Sequence, residues 1–324
     1  MPEAPQLVVD LNAVVLAVTG DQPRLLTVAP GMYPGVDDEL RALPFGPFDL
    51  ERDRTLERCI RETVARQTGG SLGYVEQLYT FADKGRDPRE QAGLGRILSI
   101  AYLALVQEGV LETADDASWE NCYDYFPWED WRGGRPALVD DIEAALRDWI
   151  EGLPGAEQSG QRERIEICFG FGDVGWDAYK VLERYELLYE AQLISEFWAD
   201  RGQAPRLEIF ALLGKPMAFD HRRLLATGLG RIRGKLRYRP VAFELLPETF
   251  TLLHLQQVVE ALSGLQLHKQ NFRRFVEGSG LAEGTGQREA STGGRPAELF
   301  RFRRAVLRER RAPGVATLQS PREA

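Results

Sequence analysis

The stretch from Thr249 to Arg304 constrains the fold most, because two helical patterns and a glycine-rich hairpin pattern follow one another there. Thr251 is a plausible N-cap. The apolar residues that recur after it at helical spacing are Leu252, Leu255, Val258, Val259 and Leu262. Gly264 is the expected stop. The pattern therefore predicts a first helix that begins after Thr251 and ends at Gly264.

A second, shorter helical pattern follows Leu267 and is basic. Its apolar face is expected to carry Phe272, Phe275 and Val276. The residues on or flanking the opposite face are Lys269, Gln270, Asn271, Arg273 and Arg274. Gly278 and Gly280 are expected to stop this helix.

A β-hairpin is predicted next, with the segment LAE paired to ELFRFR. Its loop is expected to contain Gly284, Gly286, Gly293 and Gly294. Helix, turn, short basic helix and hairpin is the order of elements in a winged helix-turn-helix domain. We therefore predict such a domain over residues 246–311.

The charge distribution supports nucleic-acid binding by this module. Residues 264–311 hold 11 Lys and Arg and 5 Asp and Glu, a net of +6, whereas the whole chain is −9, so the remainder is −9 − 6 = −15. A basic module on an acidic chain is typical of a DNA reader. The alternatives are a winged helix used only for protein assembly and a basic run that is merely a solvated face.

The second helix and the wing supply the predicted DNA contacts. Lys269, Gln270 and Asn271 are the base-edge candidates, and Arg273, Arg274, Arg288 and Arg295 are the phosphate or minor-groove candidates. Thr251, at the start of the first helix, is included among the DNA-binding residues. His268 stands where the recognition helix begins, so it either contacts DNA or caps the helix.

Composition excludes several other classes of protein. A chain of 324 residues suggests two domains, and its hydrophobic fraction of 44% is ample for a core. Apolar runs stay below the roughly 18 residues that a membrane span requires, and the N-terminal stretch lacks the positive region of a signal peptide. The three cysteines are widely spaced, which fits a reducing cytoplasm. The three histidines show no metal-ligand spacing, so no metal site is predicted.

The first hundred residues predict a mixed α/β order. Strands are expected over 7–18, 24–30, 74–83 and 97–106, and an amphipathic helix over 54–67. Helices do not alternate with strands, which argues against a doubly wound fold. No GxGxxG motif follows the first strand, and no GxxxxGK[ST] motif occurs in the sequence.

The segment ALPFGPFDLERDRTLERCIRETVARQTGG resembles the signature of a Nudix domain. Depending on the alignment, the metal-binding glutamates of that family fall on Arg66 and Gln67, or on Ala65 and Arg66. Neither pair can hold Mg²⁺, which needs hard oxygen ligands. The resemblance thus implies a Nudix-like domain without hydrolase chemistry. An active pyrophosphatase is the alternative, although only Glu57 and Glu62 remain as carboxylates on this helix, and a chance amphipathic helix is a further one.

Further segments resemble the Nudix-related transcription regulators of NAD metabolism, which join a Nudix domain to a C-terminal winged helix. They are FADKGRDPREQAGLGRILSIAYLALV, residues 218–262, and HKQNFRRFVE followed by GRPAELFRF. The resemblance implies an α+β fold: a Nudix-like mixed-sheet α/β/α sandwich at 1–245 with an inserted helical segment at about 111–214, then the winged helix. Residues 312–324 are expected to be a disordered tail.

The same resemblance implies a function. It describes a cytoplasmic homodimer that represses NAD biosynthesis genes by binding a palindromic operator and responds to ADP-ribose, NAD or ATP. No cofactor and no membrane partner are expected. The effector-binding candidates are Phe45, Arg86, Arg89, Arg96, Arg231, Arg233 and Lys235. The last three belong to an alternating run that would place cations on one face if extended, either for an anion or for salt bridges to the acidic insertion.

The insertion itself is predicted in pieces. The aromatic run from Trp119 to Trp131 is expected to pack against the core or a partner subunit, with an aromatic cage for a base as the alternative. A helix is expected over 137–153, an exposed loop over 154–164 and a buried strand over 165–171. One long helix is expected over 176–201, with apolar surface on two sides.

Overall fold

The computed structural model describes residues 7–31, 33, 36–37, 39–93, 95–107, 116–203, 212–289, 296–309 and 314. Its main feature is a six-stranded mixed sheet, in which β4, β5, β1, β2 and β6 lie side by side and β3 pairs with β1. The pairing of β1 with β5 is parallel and the others are antiparallel. The strands are β1 Leu7–Thr19, β2 Gln22–Val28, β3 Phe45–Pro47, β4 Tyr74–Phe81, β5 Arg96–Leu105 and β6 Ala117–Asn121.

Helices cover both faces of this sheet. Those before the winged helix are α1 Leu56–Thr68, α2 Pro88–Gln91, α3 Leu138–Glu151, α4 Gly155–Phe169, α5 Val181–Glu190, α6 Ser195–Ala199 and α7 His221–Tyr238. Helix α1 confirms the helix predicted over 54–67. The Thr55 hydroxyl accepts from Arg58 N at its start, and Gly69 ends it with a φ of 74°. In the described part of the chain, no helix is both long and apolar enough to cross a membrane.

Strand β1 separates two apolar clusters because successive side chains point to opposite faces. Leu11, Val15 and their neighbours pack with α1. Val14 and Leu16 face the other cluster, which contains the buried residues of α5 and α7. The predicted α/β/α arrangement is therefore confirmed.

The inserted segment is helical as predicted, but its pieces differ from the expectation. Strand β6 lies inside the predicted insertion yet pairs with β2 in the main sheet. The loop predicted over 154–164 and the strand predicted over 165–171 are wrong, because α4 runs through both. Glycines at 155 and 160 suggested a loop, but the Gln, Arg and Glu residues between and after them favour a helix.

The long helix predicted over 176–201 is also wrong. Helix α5 ends at Ala191, and Gln192 turns the chain with a φ of 61° before α6. The aromatic run behaves as its first interpretation predicted and packs into the chain's own core. Its buried members are Tyr123, Tyr125, Phe126, Trp128 and Trp131.

The winged helix follows without a break in the core. It comprises α8 Leu252–Ser263, α9 Lys269–Ser279, and the hairpin of β7 Ala282–Glu289 and β8 Ala297–Phe302, followed by the short α10 Val306–Glu309. Phe250 forms an isolated bridge to Phe300 and completes the domain. The apolar cluster around α7 continues into α8 and α9, so the predicted boundary at 245 crosses a packed core. Apart from Gly314, the predicted tail at 312–324 lies outside the described residues.

Candidate DNA-binding surface and effector site

Helix α9 presents its polar face to solvent. Phe272 and Val276 are buried against the rest of the domain, whereas Phe275 is 38% exposed, which corrects its predicted place on the apolar face. The exposed candidates on or beside this helix are His268, Lys269, Gln270, Asn271, Arg273 and Arg274. Gly280 ends the helix with a φ of 62°, and the predicted stop at Gly278 lies within it. His268 makes no side-chain capping bond, so of its two predicted roles the cap is not used.

Helix α8 begins and ends as predicted. The Thr251 hydroxyl accepts a hydrogen bond from His254 N at 3.1 Å, and Gly264 closes the helix with a φ of 71°. The turn to α9 is fixed by two residues that the sequence did not single out. Gln256 donates to Leu267 O at 3.0 Å, and Leu267 N donates to a Glu260 carboxylate oxygen at 2.8 Å. Their spacing of four residues on one helix face was the available signal.

The wing carries Arg288 on β7, in register with Glu298 on β8. Gly284 and Gly286 lie within β7 rather than in the predicted loop, and the register shifts between Gly284 and Arg288. Glycine is suited to this irregularity because Gly286 has a φ of 76°. Gly293, Gly294 and Arg295 lie outside the described residues.

A groove of about 580 Å³ separates the start of α8, helix α9 and the wing. It brings together Thr251, Lys269, Arg273 and Arg288, all of them predicted DNA contacts. Its other lining residues are Leu252, Leu253, Gln256, Pro296, Ala297, Glu298 and Phe300. Arg273 lies 3.6 Å from Glu277, and both are half exposed, so water screens this pair. Three cations around the positive end of a helix form a suitable place for a phosphate.

The predicted effector residues do not form one site. Phe45 and Arg89 come together, since both lie against the ring of Phe219: its centroid is 4.9 Å from that of Phe45 and 4.4 Å from Arg89 Cζ. Arg89 is buried between Asp10 and Asp87, with oxygens 2.6 and 2.7 Å from Nη2. Desolvation acts to lower the pKa of Arg89, but the two carboxylates hold that pKa above its ordinary value.

Arg86 and Arg96 lie in ion pairs on either side of α2. Arg86 Nη2 is 3.1 Å from an Asp220 oxygen, and its guanidinium stacks on Tyr189 at 3.9 Å. Desolvation raises the pKa of Asp220 to about 7, although Arg86 opposes the shift. Arg96 lies 3.4 Å from Glu90. Both guanidiniums are already neutralised within the chain.

The alternating cations of residues 231–235 belong to helix α7, which turns Arg231 and Lys235 toward β4 and Arg233 toward another side. Arg231 donates to Leu78 O at 3.3 Å, and Lys235 donates to Tyr74 Oη at 2.9 Å. Arg233 is fully buried against Glu129. The run is not extended, and positions two apart on a helix lie about 200° apart, so Arg233 does not join Arg231 and Lys235 on one face. Arg233 instead forms a salt bridge to the inserted segment, which was the alternative interpretation.

A cavity of about 200 Å³ lies beside Phe219. Residues from the inserted segment form one wall, and loop residues of the sheet domain form the other. The polar lining residues are Asp37, Ser195, Glu196 and Asp200, and the apolar ones include Val36, Leu40, Pro88 and Phe219. Desolvation raises the pKa of Asp200 to about 6, although Tyr189 donates to it at 2.7 Å. Because its polar lining is acidic, the cavity suits hydroxyl or amino groups better than phosphates.

The Nudix-like helix α1 does not fit a Mg²⁺ ion. Gln67 Nε2 donates to Phe45 O at 3.0 Å, and Arg66 donates to Thr63 Oγ1 at 3.3 Å, so in the first alignment both positions of the family's glutamates carry hydrogen-bond donors. Glu57 and Glu62 are exposed and paired with arginines of the same helix. Among the described residues, His, Cys, Asp and Glu side chains form no group of three or more that could hold a metal.

Comparison with known proteins supports the predicted architecture. Residues 242–302 match the model of the NrtR DNA-binding winged helix domain. The ADPR responsive transcriptional repressor NtrR of Acinetobacter baylyi is 25% identical over 299 residues, which are 92% of this chain and 82% of that protein.

Two solved structures share the fold. The NrtR of Shewanella oneidensis, crystallised with a 27mer DNA, has a TM-score of 0.56 at 22% identity, over 92% of this chain and 94% of that one. A MutT/nudix family protein from Enterococcus faecalis has a TM-score of 0.54 at 17% identity, over 94% of this chain and 89% of that one. The predicted resemblance is confirmed: the chain has the fold of the NrtR-type regulators and carries their winged helix at residues 242–302.

Proposed function

We propose that this chain is a DNA-binding transcription regulator that acts as a repressor. The observation that carries the proposal is the exposed polar face of α9, which adjoins a groove holding Lys269, Arg273 and Arg288. The similarity to a transcriptional repressor over most of the chain supports it. Helix α9 enters the major groove, and the wing follows the backbone beside it.

Within this surface the residues divide by chemistry. Lys269, Gln270 and Asn271 lie in the first turn of α9, the part of a recognition helix that usually contacts base edges. Arg273 and Arg288 line the groove and bind phosphates there. Arg274 and Arg295 remain the further candidates for contact with DNA phosphates that the sequence predicts.

The regulator works as a homodimer on a palindromic operator in the cytoplasm. A single winged helix reads a short half-site, and two copies related by a two-fold axis read an inverted repeat. The three cysteines fit a reducing compartment, since all are free and buried. By the resemblance noted above, the regulated genes are those of NAD biosynthesis.

DNA binding can be tested by fluorescence anisotropy over a salt series, on duplexes that the protein selects from a random pool. Arg273→Ala and Arg288→Ala should each weaken binding and reduce the slope of log K against log salt by about 1. Arg147→Ala on α3 is a matched control, because this arginine is exposed and distant in sequence. A flat salt dependence, or variants equal to the control, would show that this surface does not bind DNA.

The effector is an NAD-related nucleotide. ADP-ribose is the first candidate, because the Acinetobacter baylyi repressor responds to it. It binds where the sheet domain meets the inserted segment, beside Phe45, Arg89 and Phe219. The acidic cavity accepts its ribose hydroxyls through Ser195 and Asp200. Its phosphates would lie outside this cavity.

Thermal-shift measurements with ADP-ribose, NAD and ATP test the effector. A ligand at 100 times its Kd stabilises the folded state by about 2.7 kcal/mol, so the true effector should raise the Tm. Asp200→Asn and Ser195→Ala should reduce that rise, and Glu190→Gln should not, because Glu190 does not line the cavity. An equal rise in Tm for all three variants would show that the effector does not bind in this cavity.

We infer that the chain does not hydrolyse nucleotides by Nudix chemistry. Arg66 and Gln67 stand at the metal-binding positions of that family, and their hydrogen bonds are donated within the chain. The alternative is a pyrophosphatase that uses Glu57 and Glu62. Release of AMP from ADP-ribose with Mg²⁺, abolished by Glu62→Gln, would establish that alternative.

A further inference from the structure

The end of helix α8 is held by residues from outside the winged helix. Tyr123 Oη donates to Ala261 O at 2.7 Å, and Trp131 N donates to Gly264 O at 2.7 Å. Arg233 Nε donates to Leu262 O at 3.2 Å. The last carbonyls of a helix lack partners within it, so these donors satisfy groups that would otherwise be buried unpaired.

Glu129 organises these donors. Its carboxylate is buried and accepts from Arg184 at 2.6 and 2.9 Å and from Arg233 at 2.5 Å. Burial alone would raise the pKa of Glu129, but the two guanidiniums hold that pKa below its ordinary value. Arg184 belongs to α5 and Arg233 to α7, so one carboxylate joins the inserted segment to the helix that packs on the sheet.

We call Glu129, Arg184, Arg233 and Tyr123 the junction. The other guanidinium hydrogens of the two arginines bond to further backbone carbonyls around it. Arg184 Nη1 donates to Cys168 O at 2.9 Å and to Asp177 O at 2.8 Å. Arg233 Nη1 also donates to Ala178 O at 2.9 Å. Loss of the carboxylate would leave two buried cations facing each other, a costly arrangement.

The contact with the winged helix is also close. A Cβ atom on Gly264 would lie 2.3 Å from Glu129 O and 2.8 Å from Arg233 Nη2. Helix α8 therefore approaches this junction as closely as its backbone permits. None of these residues lines the groove between α8, α9 and the wing.

We propose that Glu129 is a positioning residue through which the inserted segment fixes the orientation of the winged helix relative to the sheet. Its consequence for DNA affinity rests on the proposed function, whereas the fixed orientation does not. Substitution of Glu129 should lower the affinity of the full chain for DNA about fivefold or more, even though the DNA-facing side chains are intact.

Spin-label distances in the full chain test the orientation directly. Labels on Glu51→Cys in the sheet domain and Glu277→Cys on α9 report it, and the native cysteines are buried. The parent chain should give one narrow distribution. Glu129→Gln and Tyr123→Phe should broaden or shift it, and Glu190→Gln should not, because Glu190 forms an exposed pair with Arg164 in the same segment.

A distribution for folded Glu129→Gln that matches the parent would overturn the proposal. If Glu129→Gln does not fold, the test rests on Tyr123→Phe, which removes only a hydroxyl from the junction. A distance distribution for Tyr123→Phe that matches the parent would then overturn the proposal. DNA binding by the parent chain is measured separately. If the parent does not bind DNA but the distances respond as expected, the fixed orientation stands and the proposed function fails.

Discussion

A Cβ atom placed on Gly228 would lie 2.8 Å from Val14 Cγ1, so helix α7 crosses strand β1 at a distance that only glycine allows. Val14 is fully buried and has no room to withdraw. The same helix carries Arg233 to the junction below α8. Helix α7 therefore connects strand β1 to the residues that hold the end of α8.

Gly228→Ala should destabilise the protein by about 1–3 kcal/mol, since it overpacks a full core. Gly234→Ala on the same helix is the control, because nothing lies within 4 Å of its added Cβ. That change should stabilise by about 0.5–1 kcal/mol, as alanine loses less backbone entropy in a helix. Urea unfolding measures both free energies, and equal values would show that α7 does not press on β1.

Gly264→Ala should cost more than backbone strain alone. Gly264 and Gly20 have φ values of 71° and 64°, but an added Cβ meets nothing within 4 Å at Gly20. Gly20→Ala should therefore cost only the left-handed strain of about 1–2 kcal/mol. Gly264→Ala adds a collision with Glu129 O. Equal losses for the two variants in urea unfolding would contradict the close contact.

Asn271→Ala and Arg274→Ala should affect DNA binding in different ways. Loss of a base contact relaxes preference for one base pair by about 1–3 kcal/mol. Loss of a phosphate contact weakens all sequences alike. Anisotropy titrations with the selected duplex and single-mismatch duplexes separate the two. If Asn271→Ala keeps the full preference, Asn271 is not a base-reading residue.

Acid should destabilise the protein through His221. This ring is buried and its Nδ1 accepts from Leu43 N at 3.0 Å, and desolvation, with the charge of Arg89, holds its pKa well below the ordinary value. The unfolded chain then binds a proton at this residue that the folded chain does not, so the contribution of His221 to stability is full above about pH 6.5 and falls below it.

His221→Asn keeps an acceptor but does not titrate. Urea unfolding between pH 7.5 and pH 5 should show a smaller loss of stability for this variant than for the parent. Parallel pH profiles would mean that His221 is not the group responsible.

Local sequence predicted the elements whose signals agree. Thr251 and Gly264 bound α8, Thr55 and Gly69 bound α1, and the apolar spacing between them sets the buried faces. Element order then indicated the winged helix, and the resemblance indicated the Nudix-like sheet. In these parts of the chain, helix propensity, capping residues and apolar periodicity all favour the structure that the tertiary contacts also favour.

The inserted segment shows where local signals run out. The apolar run from Ile165 to Phe171 fits a buried strand or a buried helix end, because a short run has no clear period. Cations alternate over residues 231–239, a pattern that fits an extended segment as well as a helix. Only the packing of α7 on the sheet decides in favour of the helix.

Sequence by itself determined which polar side chains α9 exposes and where the hairpin follows it, because a short helix and a hairpin are specified by local spacing. Tertiary structure decided the rest of the site. It separated Arg89 from Arg233, engaged Arg66 and Gln67 in hydrogen bonds within the chain, and placed Glu129 between Arg184 and Arg233. Partners 55 and 104 residues apart in the chain meet there. No local pattern encodes such a meeting, since it depends on how α5 and α7 pack against the segment that carries Glu129.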